Sequence, residues 1–161
     1  MYGMSYVLVV LHVLAAVSWI GGMIFLSLVL APLVRSRQAA PEYTALFRTA
    51  ALRFRIVVWL AMGILLTTGP VLLSQRGMEV TNPSTWSRIA SVKLGLVALL
   101  LSLSFLHDLV LGPRINQVSA IPASSRTAWQ QTVVRTARWL PRISLLVALA
   151  VVLAAVELAR S

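Results

Sequence analysis

The stretch Met4–Val34, MSYVLVVLHVLAAVSWIGGMIFLSLVLAPLV, contains no Asp, Glu, Lys or Arg, and its one histidine is His12. A helix needs about 20 consecutive apolar residues to cross the hydrocarbon core of a bilayer. In that medium every backbone N–H and C=O must be paired within the segment, so the stretch reads as a spanning helix. Three further segments of the same kind follow: Phe54–Ser74, Ile89–Leu111 and Trp139–Ala159. Together they predict an all-α fold: one transmembrane domain over residues 1–161, an up-down four-helix bundle with the N- and C-termini outside. Composition agrees, with 59% hydrophobic residues and a mean hydropathy of +0.89. The first span is not a cleavable signal peptide: it lacks a basic leader and far exceeds the usual apolar run of roughly 7–15 residues.

The net charge of +10 invites a nucleic-acid reading, but its distribution points elsewhere. Arg35, Arg37, Arg48 and Arg53 lie between the first two spans, with Arg55 at the edge of the second, against the single acid Glu42. Arg114, Arg126, Arg135 and Arg138 lie between the last two, with Arg142 at the edge of the fourth and no acid among them. The middle connection carries only Arg76 and Arg88 against Glu79. This asymmetry is the positive-inside pattern, so the arginine-rich connections are expected in the cytoplasm of a bacterial-type inner (plasma) membrane. The expected surroundings are a lipid bilayer, with no nucleic acid. The chain has no cysteine, which excludes disulfides, thiolate metal sites and a cysteine nucleophile.

The connections carry their own signals. Pro41-Glu42 is a helix start, for a helix that either lies on the membrane surface or extends the second span. Pro113 and Pro122 read as breakers, and Ser124-Ser125 as N-caps of a basic helix carrying Trp129 and Trp139 into the fourth span. Pro141 should kink or restart that helix. The two tryptophans read as interfacial anchors. Asn82-Pro83-Ser84 marks a turn before the third span. Each half forms a helical hairpin with a histidine in its first helix, but the surrounding residues do not match, and no internal repeat is evident.

Ionisable groups inside spans are costly, on the order of 2.5 kcal/mol or more when charged, and are usually retained for a function. His12 and His107 are the only histidines, and neutral imidazole is the commonest transition-metal ligand. At about 1.5 Å rise per residue, His12 lies roughly 13 Å below the outer end of its helix and His107 roughly 28 Å below its own. Two axial ligands of one iron have nitrogens only about 4 Å apart, so the two histidines do not share a metal. Lys93, the single lysine, lies near His12 in depth, and an outer polar cluster of His12, Lys93, Thr67 and Glu157 is expected. Near the other surface, Asp108 is expected among Arg53, Arg55, Arg114 and Arg142. There His107 is either its hydrogen-bonded companion or a second metal ligand.

On the first helix His12, Ala15, Ala16, Trp19, Gly22 and Met23 share one face. Small residues on such a face serve close helix packing. They also leave a flat slot for a porphyrin edge, with imidazole on the iron and indole on the ring.

The stretch Leu11–Phe25, LHVLAAVSWIGGMIF, resembles the first helix of the CopD copper-resistance family and of HemJ-type protoporphyrinogen oxidases. Thr68-Gly69-Pro70 is similar to the threonine–glycine ending of their second helix, and Trp86–Leu94, WSRIASVKL, to the segment leading to their third-helix lysine. The likeness covers about Leu11–Arg114. HemJ-type members bind haem b and depend on a helix-one histidine and a helix-three lysine, which implies roles for His12 and Lys93; CopD members are associated with copper movement across the inner membrane. The chain is short for CopD, and His107-Asp108 with Gly112-Pro113-Arg114 departs from the HemJ pattern.

Three functions follow as expectations. The first is a membrane haem b protein for electron transfer or haem-dependent redox chemistry. In it His12 ligates iron, Lys93 is a second ligand or neutralises a propionate with Arg88, and Trp19 packs on the porphyrin. Whether it is an oxidoreductase, and which redox partner or quinone it meets, stays open. The second is copper transport or resistance, with Met1, Met4 and Met78 beside His12, since thioether and imidazole suit Cu(I). The third is a scaffold whose polar groups only fix packing. A homodimer is expected, because four helices are few to enclose a porphyrin. A hydrolytic triad is disfavoured, since no spacing brings a serine and an acid together onto either histidine, and so is zinc, which needs three or four ligands per site.

Overall fold

The computed structural model describes residues 2–36, 41–119 and 121–160. Met1 and Arg37 lie outside these. The described residues contain no strand, and four helices are long and apolar enough to cross a membrane. The protein is therefore an all-α multi-pass membrane protein surrounded by lipid. Its contacts divide it into two compact units, residues 1–87 and 88–161.

Unit 1 begins with α1 (Tyr2–Ile24), passes through a π-helical segment (Phe25–Leu30), and continues as α2 (Ala31–Ser36). It returns as α3 (Pro41–Ser74), one unbroken helix. Of the two readings of Pro41-Glu42, extension of the second span is the one realised. Unit 2 repeats this order: α4 (Arg88–Phe105), a π-helical segment (Leu106–Leu111), α5 (Gly112–Ser119), then the long α6 (Ala128–Arg160).

Each π segment has the same cause. A proline inside a helix lacks an N–H, and its ring collides with the carbonyl four residues back. Pro32 and Pro113 each stand second in the helix that follows the widened turn. In both places the amide just before the proline bonds five residues back, Ala31 to Leu26 and Gly112 to His107. The helix absorbs the proline by widening, the usual form of a π-bulge. Pro113, expected as a breaker, is carried through the helix in this way. Pro141 likewise does not divide α6.

The shared architecture reveals a repeat that residue identity hides. His12 precedes the first π segment by as many residues as Lys93 precedes the second, and Pro32 matches Pro113 in the same register. Buried Trp19 and Leu30 fall at the register of buried Leu100 and Leu111.

Within each unit the helices pack through small residues. Lipid tails are as apolar as leucine, so close backbone approach and shape drive helix association. Ala15 and Ala61 are buried in unit 1; Ala90, Ser144 and Ala148 are buried in unit 2. Larger side chains such as Leu60, Leu146 and Leu153 are exposed, the distribution expected where the solvent is hydrocarbon.

Two caps fix the ends. Gly77, at φ 74°, closes α3, with Gly77 N–H bonded to Ser74 O and Met78 N–H to Leu73 O. This is a Schellman motif, which needs a residue that adopts left-handed backbone at no cost. Its two apolar positions, Leu73 and Met78, are both buried. At the start of α6, Thr127 and Gln130 bond reciprocally: Thr127 N–H donates to Gln130 Oε1 at 2.9 Å and Gln130 N–H to Thr127 Oγ1 at 3.4 Å. That capping box takes the role expected of Ser124-Ser125, which instead form a 3₁₀ turn, Ala123–Ser125.

Candidate functional site

The polar centre of unit 1 lies between α1 and α3. Thr68, buried on α3, donates its hydroxyl to Ile64 O at 2.6 Å, the usual outlet for a threonine inside a membrane helix. Its oxygen lies 2.7 Å from Nδ1 of half-buried His12. A hydroxyl has one proton, and here the Ile64 carbonyl takes it. Nδ1–H is then the donor to Thr68, and Nε2 is the ring nitrogen that carries the lone pair.

Gly69 completes the arrangement. A β-carbon there would meet His12 Cε1 at 3.6 Å, so the ring lies in contact distance of the α3 backbone. Further along the same pair of helices, the Phe54 ring occupies the space that a β-carbon on Gly22 would need. The His12–Thr68 and Gly22–Phe54 pairs together fix the antiparallel register of α1 on α3. Trp19 is buried on the His12 face of α1.

Thr67, rather than Thr68, was the threonine expected beside His12. It points away: its hydroxyl bonds back to Gly63 O and Ile64 O and it is exposed. Adjacent helical positions lie about 100° apart, so only the register of α1 on α3 decides between Thr67 and Thr68.

The remaining expected residues belong to unit 2. Lys93 is half-buried in the second turn of α4. Arg88 begins α4, and with Glu157 and Arg160 of α6 it lines an open groove. His107 Nδ1 lies 3.0 Å from Asp108 Oδ1 inside the second π segment, with side chains 41% and 16% exposed. The structure thus joins His107 to Asp108 by a hydrogen bond, an arrangement that the companion and the metal-ligand readings share. Arg142, expected near Asp108, stacks over Trp139 with its guanidinium carbon 5.0 Å from the ring centroid. That cation–π contact suits an interfacial anchor.

Among the described residues, no group of three or more His, Asp or Glu gathers as a metal chelate would require. Met4 is 76% exposed and Met78 is buried in the α3 cap, so each is placed by a different demand.

Residues 14–122 match the family model described as Domain of unknown function (DUF4149). An uncharacterized protein of Aquifex aeolicus (strain VF5) is 31% identical over 145 residues, covering 88% of this chain and 86% of the relative. No solved structure matches.

Proposed function

We propose that this chain, which belongs to the DUF4149 family, is a membrane haem b protein in which His12 would hold the iron through Nε2. The observation that carries the reading is the hydrogen bond from His12 Nδ1 to Thr68 Oγ1, backed by Thr68 to Ile64 O. Metal-binding histidines almost always donate their other ring N–H to a fixed acceptor, which sets the tautomer and orients the ring.

Ligand counting favours haem over a bare ion. A porphyrin supplies four of iron's ligands, so one imidazole suffices, whereas copper or zinc bound by protein alone needs several side chains. When bound, haem b supplies a one-electron couple, suited to electron transfer or to redox chemistry on a small partner. In this reading Thr68 holds the imidazole plane, Gly69 leaves room for it against α3, and buried Trp19 keeps the neighbouring face of α1 apolar. The positive-inside rule puts the arginine-rich connections in the cytoplasm of a bacterial-type plasma membrane, which places His12 toward the opposite surface.

The test is an absorption spectrum of protein produced with ample haem, oxidised and then dithionite-reduced. A Soret band that sharpens on reduction is expected, lost in His12→Ala and weakened in Thr68→Val by about 10- to 100-fold in haem affinity. A colourless wild-type preparation ends the reading.

A further inference from the structure

The groove at one end of unit 2 has a composition that the His12–Thr68 arrangement does not use. Arg88, the first residue of α4, and Glu157 and Arg160, in the last turn of α6, form its rim. Val92, Leu153 and Val156 form its floor. All three charged side chains are exposed, and among the described residues no hydrogen bond or ion pair engages any of them. The floor is exposed as well, with Leu153 at 72%. A charged rim above an open apolar floor, at the ends of two spanning helices, lies where headgroups meet acyl chains.

We propose that this groove binds an anionic phospholipid, its phosphate between Arg88 and Arg160 and an acyl chain along Val92, Leu153 and Val156. Charge selects the headgroup: two guanidinium groups against one carboxylate leave a net positive rim. Guanidinium meets phosphate bidentately and sheds water readily. The N-terminus of α4, which begins at Arg88, adds its backbone dipole in the same sense, and the carbonyl end of α6 opposes it, so the two arginines carry the selection. The floor selects a lipid over a free anion, since inorganic phosphate gains nothing from apolar walls. Glu157 sets an upper limit on the attraction and disfavours a second negative charge. The proposal uses only residues of unit 2 and stands whether or not His12 binds haem.

The experiment is native mass spectrometry of the full-length protein, delipidated in neutral detergent and offered equal phosphatidylglycerol and phosphatidylcholine. A juxtamembrane arginine contributes enough that a preference for phosphatidylglycerol on the order of tenfold is expected. Arg88→Gln/Arg160→Gln should abolish the preference and Glu157→Gln should raise it. Arg114→Gln/Arg135→Gln, which removes equal charge from unit 2 away from the groove, should lower it less than Arg88→Gln/Arg160→Gln does. If circular dichroism shows the double variant losing helix, the single variants Arg88→Gln and Arg160→Gln decide instead, each expected to lose part of the preference. Equal retention of the two lipids by the wild type overturns the proposal, as does a preference that survives both arginine substitutions. Displacement of phosphatidylglycerol by millimolar inorganic phosphate also overturns it, by assigning the rim to a free anion.

Discussion

The Phe54 ring lies over Gly22 so closely that a β-carbon at position 22 would fall inside it. This contact belongs to packing alone, because neither residue is polar, yet it sets how near α1 comes to α3 and therefore whether His12 reaches Thr68. Gly22→Ala should force the ring aside and cost about 1–3 kcal/mol, the usual range for overpacking. Detergent-titration unfolding measures this, and Gly22→Ala/Phe54→Ala should cost less than the two single changes summed. Full additivity would show that the ring and the glycine do not compete for the same space.

The two threonines of α3 provide an internal comparison. Thr68→Val removes the acceptor for His12 Nδ1, whereas Thr67→Val removes only a bond back to its own helix. Nitrogen-15 spectra of histidine-labelled protein should show Nδ1 protonated in the wild type and in Thr67→Val, with that tautomer lost or mixed in Thr68→Val. A double-mutant cycle of His12→Ala with Thr68→Ala should give a coupling of about 0.6 kcal/mol, and no more than about 1.7, as for other hydrogen bonds between membrane helices. Zero coupling would mean the pair adds no stability.

The start of α6 gives a third comparison. Thr127→Ala removes half of the capping box and should cost about 1 kcal/mol, with faster amide exchange over the first turn of α6. Ser124→Ala and Ser125→Ala should change neither, since those residues lie in the preceding 3₁₀ turn. Equal effects at all three positions would contradict this division of roles.

The four spans were legible because hydrocarbon allows one solution to a predominantly apolar stretch of that length, and the structure places its long helices over them. Local chemistry was less legible where two candidates stood side by side. Ser124-Ser125 and Thr127 all have the cap-forming side chain, and the decisive partner, Gln130, lies three residues on. Thr67 and Thr68 differ only by a rotation that no single helix specifies. Pro113 carried a true signal with the wrong expected outcome, because a helix held by lipid and neighbours continues through a proline, here by widening the turn before it. The repeat stayed hidden because the matching positions demand similar bulk and helix shape, not the same residue: His12 stands where Lys93 does, and Trp19 where Leu100 does.

The unbroken run of α3 from Pro41 to Ser74, 34 residues, has a mechanical consequence. At about 1.5 Å per residue it measures roughly 51 Å, well beyond a hydrocarbon thickness of about 30 Å. Its first turns, with Arg48 among them, are carried clear of the acyl layer on a stiff rod rather than a slack tether. Any molecule that approaches them meets charge presented at a set height above the membrane.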